Sequence, residues 1–309
     1  MSRKGWLLFA IMCVVWGIPY LLIKVADEGV AVPVVVFSRT ALGALILAPV
    51  AIRSGQLGML RRHWRPLLAF ALLEMIIPWG LLTEAEKRLP SSLAGLLVAA
   101  VPIIGVVAAR LTGGTERLSP RRWAGLLIGL AGVAVLAAPN LNGGSGWPIA
   151  EVLLVAVGYA SAPLIAARKL GDVPPALMTT ACLGFAALVY APAAFLNLPH
   201  QMPPARVLLS LAGLGVICTA LAFIVFLQLI REVGTSRAMV FTYVNPAVAV
   251  AAGVAVLGEP FSATIAVSFA LILAGCVLAT GRATPPRNAP DTQTRDTLSS
   301  GAGASHPAA

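Results

Sequence analysis

Two ionisable residues stand inside otherwise apolar runs: Arg39 within 32–52 and Glu74 within 66–86. A charge in hydrocarbon is costly, so such a residue faces a protein interior or a water-filled path. Arg39 lies seven residues after Val32, roughly 10 Å below one membrane boundary at 1.5 Å per helical residue. Glu74 lies twelve residues before Glu86, roughly 18 Å below the same boundary and close to the midplane. An arginine there can hold a carboxylate, and a glutamate can bind an amine or carry a proton. The structural alternative is an Arg39–Glu74 salt bridge that fixes two helices, or an arginine that snorkels to the interface.

Further groups share this depth. Asn245 offers an amide, for a ligand or for helix–helix bonding. Trp16, Trp79, Tyr159 and Tyr243 are either packing or an aromatic wall that suits amphipathic or aromatic cargo. Pro102 and Pro246 each remove a backbone donor near the middle of a span. They read as paired hinges or as tolerated membrane prolines. Glu84, Glu86, Lys87 and Arg88 form a charged group at a span end that reads as a solvated rim. Glu116 and Glu259 are expected to cap the helices that follow them or to pair with nearby bases.

The elements that must position these groups are apolar. Hydrophobic residues make up 59% of the 309 and charged residues 11%, well under the quarter usual in soluble domains. Runs of about twenty apolar residues match a 30 Å hydrocarbon core. Ten spans are predicted, at 6–26, 32–52, 66–86, 92–111, 122–139, 147–167, 176–197, 206–227, 236–257 and 263–281. The runs are continuous rather than alternating, which argues against β-barrel strands. The fold class is an all-α integral membrane protein.

The net charge of +10 follows topology rather than nucleic acid. With the N-terminus inside, most Lys and Arg fall on the cytoplasmic side, and only Lys24, Lys87, Arg88 and Arg206 fall outside. That asymmetry is the positive-inside pattern, with both termini cytoplasmic. Arg3 and Lys4 resemble a signal-peptide n-region, but the apolar stretch is too long and no A-x-A site follows. Cys13, Cys182, Cys218 and Cys276 all lie in spans and read as small apolar residues. His63, His200 and His306 lie in loops or the tail. No metal site and no cofactor is expected. Residues 282–309 are rich in Pro, Ser, Thr, Gly and Ala and read as a disordered cytoplasmic tail.

The chain repeats itself. Ser91 aligns with Thr235, Ala94 with Ala238, Pro102 with Pro246, Glu116 with Glu259 and Ala131-Gly132 with Ala274-Gly275, at an offset of 143–144. The units are 5–139 and 146–281. Each holds five spans, an odd number, so the second enters the bilayer inverted, a recurrent plan of secondary transporters. Arg39 and Glu74 align near Cys182 and Cys218, so the two halves differ chemically.

The stretch "WGIPYLLIKVA" (16–26) resembles the first helix of the EamA-like group of the drug/metabolite transporter superfamily. "LPSSLAGLLVAAVPIIGVVAARLTGGTERLSPRRWAGLLIGLAGVAVL" (89–136) is similar to its fourth helix, acidic-x-Leu-Ser linker and fifth helix, and returns weakly in 235–279. The resemblance covers about 5–281. It implies a ten-helix inverted repeat in a prokaryotic cytoplasmic membrane. It also implies gradient-driven export of amino acids, related metabolites or toxic compounds, without naming the cargo.

The expected function is a secondary exporter that alternates access to a central cavity. Proton antiport is a compatible coupling that one carboxylate does not establish. The partners are a small-molecule cargo, protons in the coupled case and the lipid bilayer; monomer and homodimer stay open. A membrane-embedded enzyme would need a nucleophile–base set or metal ligands in the spans, and no intramembrane His or H-E-x-x-H is present. No filter loop favours a channel. No G-x-x-x-x-G-K-[ST] points to ATP. A lipid-carrier flippase and an uptake permease are the alternatives.

Overall fold

The structure is a computed structural model that describes residues 2–111, 119–141, 146–234 and 238–280. Glu116 and the tail at 282–309 lie outside the described residues. Among the described residues the chain is helical and has no strand. Seven helices are long and apolar enough to cross a membrane. They are α1 (Arg3–Ala26), α2 (Val32–Arg53), α3 (Trp64–Glu86), α5 (Pro120–Ala138), α6 (Gly146–Lys169), α7 (Pro175–Leu196) and α8 (Ala205–Val233). Three shorter apolar helices are α4 (Ser91–Val107), α9 (Asn245–Leu257) and α10 (Ala263–Leu278). A multi-pass membrane protein needs this form, because lipid cannot satisfy a bare backbone N–H or C=O.

Several helices depart from regular α geometry, each with a local cause. In α1 the helix breaks after Val15 and resumes at Pro19. Gly17 N donates to Val14 O rather than Cys13 O, which leaves the Cys13 carbonyl without its helical donor. In α4 the helix pauses at Ala99–Ala100 and resumes at Val101. Pro102 therefore sits in the first turn of a new helical piece, where its missing N–H costs nothing. Pro246 does the same in α9, which begins at Asn245 after a 3₁₀ turn at Met239–Tyr243. Both prolines were expected inside continuous spans; each instead starts a helical piece, and the ninth helix begins later than predicted. α3 carries a π-helical turn at Leu72–Ile76, just before Pro78, and α8 carries one at Gly213–Leu221. At the offset of the sequence repeat these two fall on each other.

The main helix pairs are α5–α10, α2–α7, α3–α6, α4–α9, α1–α8 and α2 with the π-helical part of α8. Glycine sets the closest approach. A Cβ on Gly275 would lie 2.5 Å from both Cα and N of Gly129. Gly132 sits as tightly against Ile272, whose N would be 2.9 Å from an added Cβ. Trp6, Trp64, Trp123 and Trp147 lie near helix ends and are all exposed, as tryptophans at a membrane interface are. The four cysteines are free and buried.

One end of the bundle is sealed. Leu89, Ser91, Ser92 and Glu86 are all 1% exposed or less there. Glu86 was expected on a solvated rim; the turn after α3 folds under α1 and buries it. Glu259 was expected to cap α10. Its carboxylate instead accepts from Ser91 N (2.6 Å) and Ser92 N (3.0 Å), at the start of α4. Those N–H groups have no partner within their own helix, and an anion is favoured there. Gly253 leaves the room, since a Cβ there would lie 2.4 Å from a Glu259 carboxyl oxygen. Burial alone pushes the Glu259 pKa up, but hydrogen bonds from Ser92 and Ser91 prevail and hold it below the usual carboxylate range.

The glycine seam gives a direct test. Gly275→Leu forces backbone apart and is expected to cost about 3 kcal/mol or more, seen as loss of monodisperse protein in detergent. Gly184→Ala meets nothing within 4 Å and is expected to purify like the parent.

Candidate substrate cavity

A cavity of about 860 Å³ lies among the helices. Its wall includes Arg39, Glu74, Trp16, Trp79, Tyr159, Tyr243, Asn245, Pro102 and Pro246. All nine residues singled out by sequence therefore face one space. They come from α1, α2, α3, α4, α6 and α9 with its preceding turn. The cavity runs from Tyr20, Leu82 and Gly95 near the sealed end toward Gly105, Pro163 and Met239. The departures from α geometry gather around it. Trp16, Glu74, Ala99, Cys218 and Met239 each lie at one of them and line the wall. A π-turn or a break re-aims side chains and frees backbone groups, which is why such features collect at functional sites.

Of the arrangements open to the two charges, the salt bridge is the one the structure does not show. No ion pair joins Arg39 to Glu74. The Arg39 guanidinium lies over the Trp79 ring, 3.7 Å from its centroid. Its Nε donates to Thr219 Oγ1 at 2.9 Å. Thr219 Oγ1 in turn donates to Leu214 O at 2.8 Å, inside the π-turn of α8. One hydroxyl thus serves an arginine on one side and a loosened helical carbonyl on the other. Arg39 is 8% exposed, yet part of it still meets the cavity. Glu74 projects from the π-turn of α3 into the same space, and among the described residues no hydrogen bond or ion pair holds it. It is the carboxylate left available to a ligand.

Asn245 has a structural task. Oriented to satisfy its neighbours, its amide nitrogen donates to Cys13 O (3.2 Å) and Phe241 O (3.1 Å). It thereby takes up the carbonyl freed by the break in α1. Tyr190 acts likewise on α3: its hydroxyl donates to Ile76 O at 2.8 Å. A Cβ on Gly80 would lie 2.1 Å from that hydroxyl. Trp16 packs edge-on to Phe223, with centroids 5.6 Å apart, and against Phe226 and Phe241. Its ring is thus part of a packed aromatic group at the cavity margin. Tyr159 lies beside Trp79 and faces both Glu74 and Arg39.

Sequence reading missed Tyr20, Thr219 and Phe223. Tyr20 directly follows the Pro19 bend, and Thr219 follows Cys218, the repeat equivalent of Glu74. Neighbours of a position already singled out were the available signal. Cys182, the equivalent of Arg39, donates to Leu67 O and is buried away from the cavity. Among the described residues, no three His, Cys, Asp or Glu side chains gather where they could hold a metal ion.

A bundle of membrane-crossing helices around a largely apolar cavity that holds Arg39 and Glu74 has the form of a membrane transporter, and comparison with known proteins gives the same class. The model of the EamA-like transporter family matches residues 3–138 and again 146–281. The chain belongs to this family. It is 29% identical over 282 residues to the "Uncharacterized inner membrane transporter YedA" of Escherichia coli strain K12, covering 88% of this chain and 89% of that one. It is 26% identical over 279 residues to the "Uncharacterized transporter YvbV" of Bacillus subtilis strain 168, covering 88% and 90%. A solved crystal structure at 22% identity superposes with a TM-score of 0.64, over 90% of this chain and 98% of that one, which speaks to the fold.

The Arg39 linkage predicts a stability effect. Thr219→Val removes the acceptor of a buried guanidinium N–H and is expected to cost about 1–3 kcal/mol. Thermal unfolding in detergent checks it, and Thr219→Ser is expected to restore most of the loss.

Proposed function

We propose that the protein is a secondary active transporter that moves small metabolites or drugs, amino acids among them, out of the cell by alternating access. In this reading ten helices form two inverted five-helix repeats in the cytoplasmic membrane. Both termini are cytoplasmic, and the sealed Glu259 end faces outward. The observation that carries it is the cavity, lined from both halves, at which the helical irregularities converge. The contact pattern supports the repeat. Exchanging the halves turns α3–α6 into α8–α1, and leaves α2–α7, α4–α9 and α5–α10 as they are. The contacts of Gly132 with Ile272 and of Gly275 with Gly129 exchange in the same way. Helix pieces that begin at Pro102 and Pro246 are the natural moving parts, because little backbone bonding crosses their starts.

The cavity chemistry favours a cargo with a cationic amine and an apolar or aromatic body. Glu74 would bind the amine or exchange a proton for it. Trp79, Tyr159 and Tyr243 would cover the body. Arg39, already stacked and bonded, would add an electrostatic contact to a cargo carboxylate.

The test is overexpression in a host that lacks its own related exporters, with metabolites compared in medium and cells. Compounds enriched outside only with the intact protein are the expected result. Glu74→Gln and Arg39→Ala are expected to lower that export about tenfold or more, as loss of one charge-assisted contact implies, with folded protein still in the membrane. Normal export by both variants would reduce the two charges to scaffolding. An unchanged medium with well-expressed protein would argue against export and turn the question to uptake or a lipid cargo, in liposomes under an imposed gradient.

A further inference from the structure

The sealed end holds a second charged group that the cavity does not use. Glu86 is fully buried, and neither of its carboxyl oxygens has a hydrogen-bond partner. Both carboxyl oxygens of Asp27, at the end of α1, are shielded and unpartnered as well. The Lys24 ammonium lies with them. It donates to Glu86 O and to Leu89 O (3.0 Å), which ties α1 to the turn between α3 and α4.

The surrounding charges can be counted. Lys87, on the rim, is engaged by Glu84 at 2.9 Å. Arg88 also lies by Glu84. Arg206 is held by Glu28 at 2.6 Å. Glu259 is served by the Ser91 and Ser92 amides. Glu151 of α6 lies near Glu84 and Arg88. Arg39 is further in, stacked on Trp79. Among the described residues that leaves one ammonium, Lys24, enclosed with two carboxyls, with Lys87 acting on Asp27 from the rim. One extra proton makes the enclosed group neutral; without it a buried, unpartnered negative charge remains, which is unfavourable by several kcal/mol.

We propose that Glu86 and Asp27 form a proton-binding site that locks the Glu259 end of the cavity: one proton shared by the pair keeps that end closed, and its loss opens it. The site is separate from Glu74, and its role in transport rests on the alternating-access reading above. Burial pushes the Asp27 pKa up to about 7, with Lys87 and Lys24 opposing and Glu84 adding to the rise. The sign follows from linkage. An opened, hydrated carboxyl holds its proton only up to about pH 4, whereas the closed end, where two shielded carboxyls face one ammonium, holds it to a higher pH. The closed state binds more protons above about pH 4, so raising the pH favours opening.

The test needs no cargo. Nitroxide labels at Met202 and Phe261, both exposed near the sealed end, report its width by electron–electron distance measurement. The full-length protein is held in lipid nanodiscs, with the four native cysteines replaced by alanine. The expected result is a short distance at pH 5 that gives way to a longer one by pH 8.5. The open-to-closed ratio is expected to rise up to about tenfold per pH unit within the window. Glu86→Gln and Asp27→Asn each leave one carboxylate for Lys24, so both are expected to stay closed across the range. Glu259→Gln removes an already ionised group and is expected to weaken closure at every pH while keeping the step. A distance that ignores pH in the parent protein would overturn the proposal, as would a full pH step in both Glu86→Gln and Asp27→Asn. A pH step in a protein that exports nothing would leave the lock standing and sink the transport reading alone.

Discussion

Backbone hydrogen bonding without water is the constraint from which the rest follows. In hydrocarbon each N–H and C=O needs a partner in the protein, so the chain is helical wherever it meets lipid. At several departures from the α pattern a side chain donates to a backbone carbonyl. Asn245 covers the Cys13 carbonyl, Tyr190 covers Ile76 and Thr219 covers Leu214. Each of these repairs lies at or near the cavity, because that is where regular helix is interrupted. Asn245, which lines the cavity, is thus a polar group that serves the irregular backbone beside it.

The same economy governs charge. Arg39 is tolerated because Trp79 and Thr219 receive it. Glu259 is tolerated because two helix-end amides do. Lys24 is tolerated because two turn carbonyls accept from it. Glu74 and Glu86 have no such reception. One opens into the cavity and the other is enclosed at its sealed end.

Small residues make the bundle compact enough for this. Gly129 and Gly275 bring α5 and α10 into backbone contact, and Gly95 brings α4 against Ala249, since a Cβ there would lie 2.6 Å from that methyl. These seams need no polar bonding between helices, which is the usual way membrane helices associate when lipid is as apolar as the side chains. They leave the polar groups to the cavity and the sealed end.

Sequence by itself determined the helices and most of their limits, because hydrophobic length and the position of Pro and Gly act locally. It also marked nine of the residues that line the cavity, since polar and aromatic side chains at mid-depth stand out, although Tyr20 and Phe223 were passed over. It misread what depends on neighbours distant in the chain. Glu86 looked like a rim residue because Glu84, Lys87 and Arg88 flank it, and only the turn folded beneath α1 buries it. Glu259 looked like a cap for its own next helix, but the amides it reaches belong to α4. A salt bridge between Arg39 and Glu74 was one of the arrangements that the sequence left open. Rotation about the helix axes, set by packing against α7 and α8, instead turns Arg39 onto Trp79 and Thr219. Depth is written along a helix and can be counted; the direction a side chain points is decided by what packs around it.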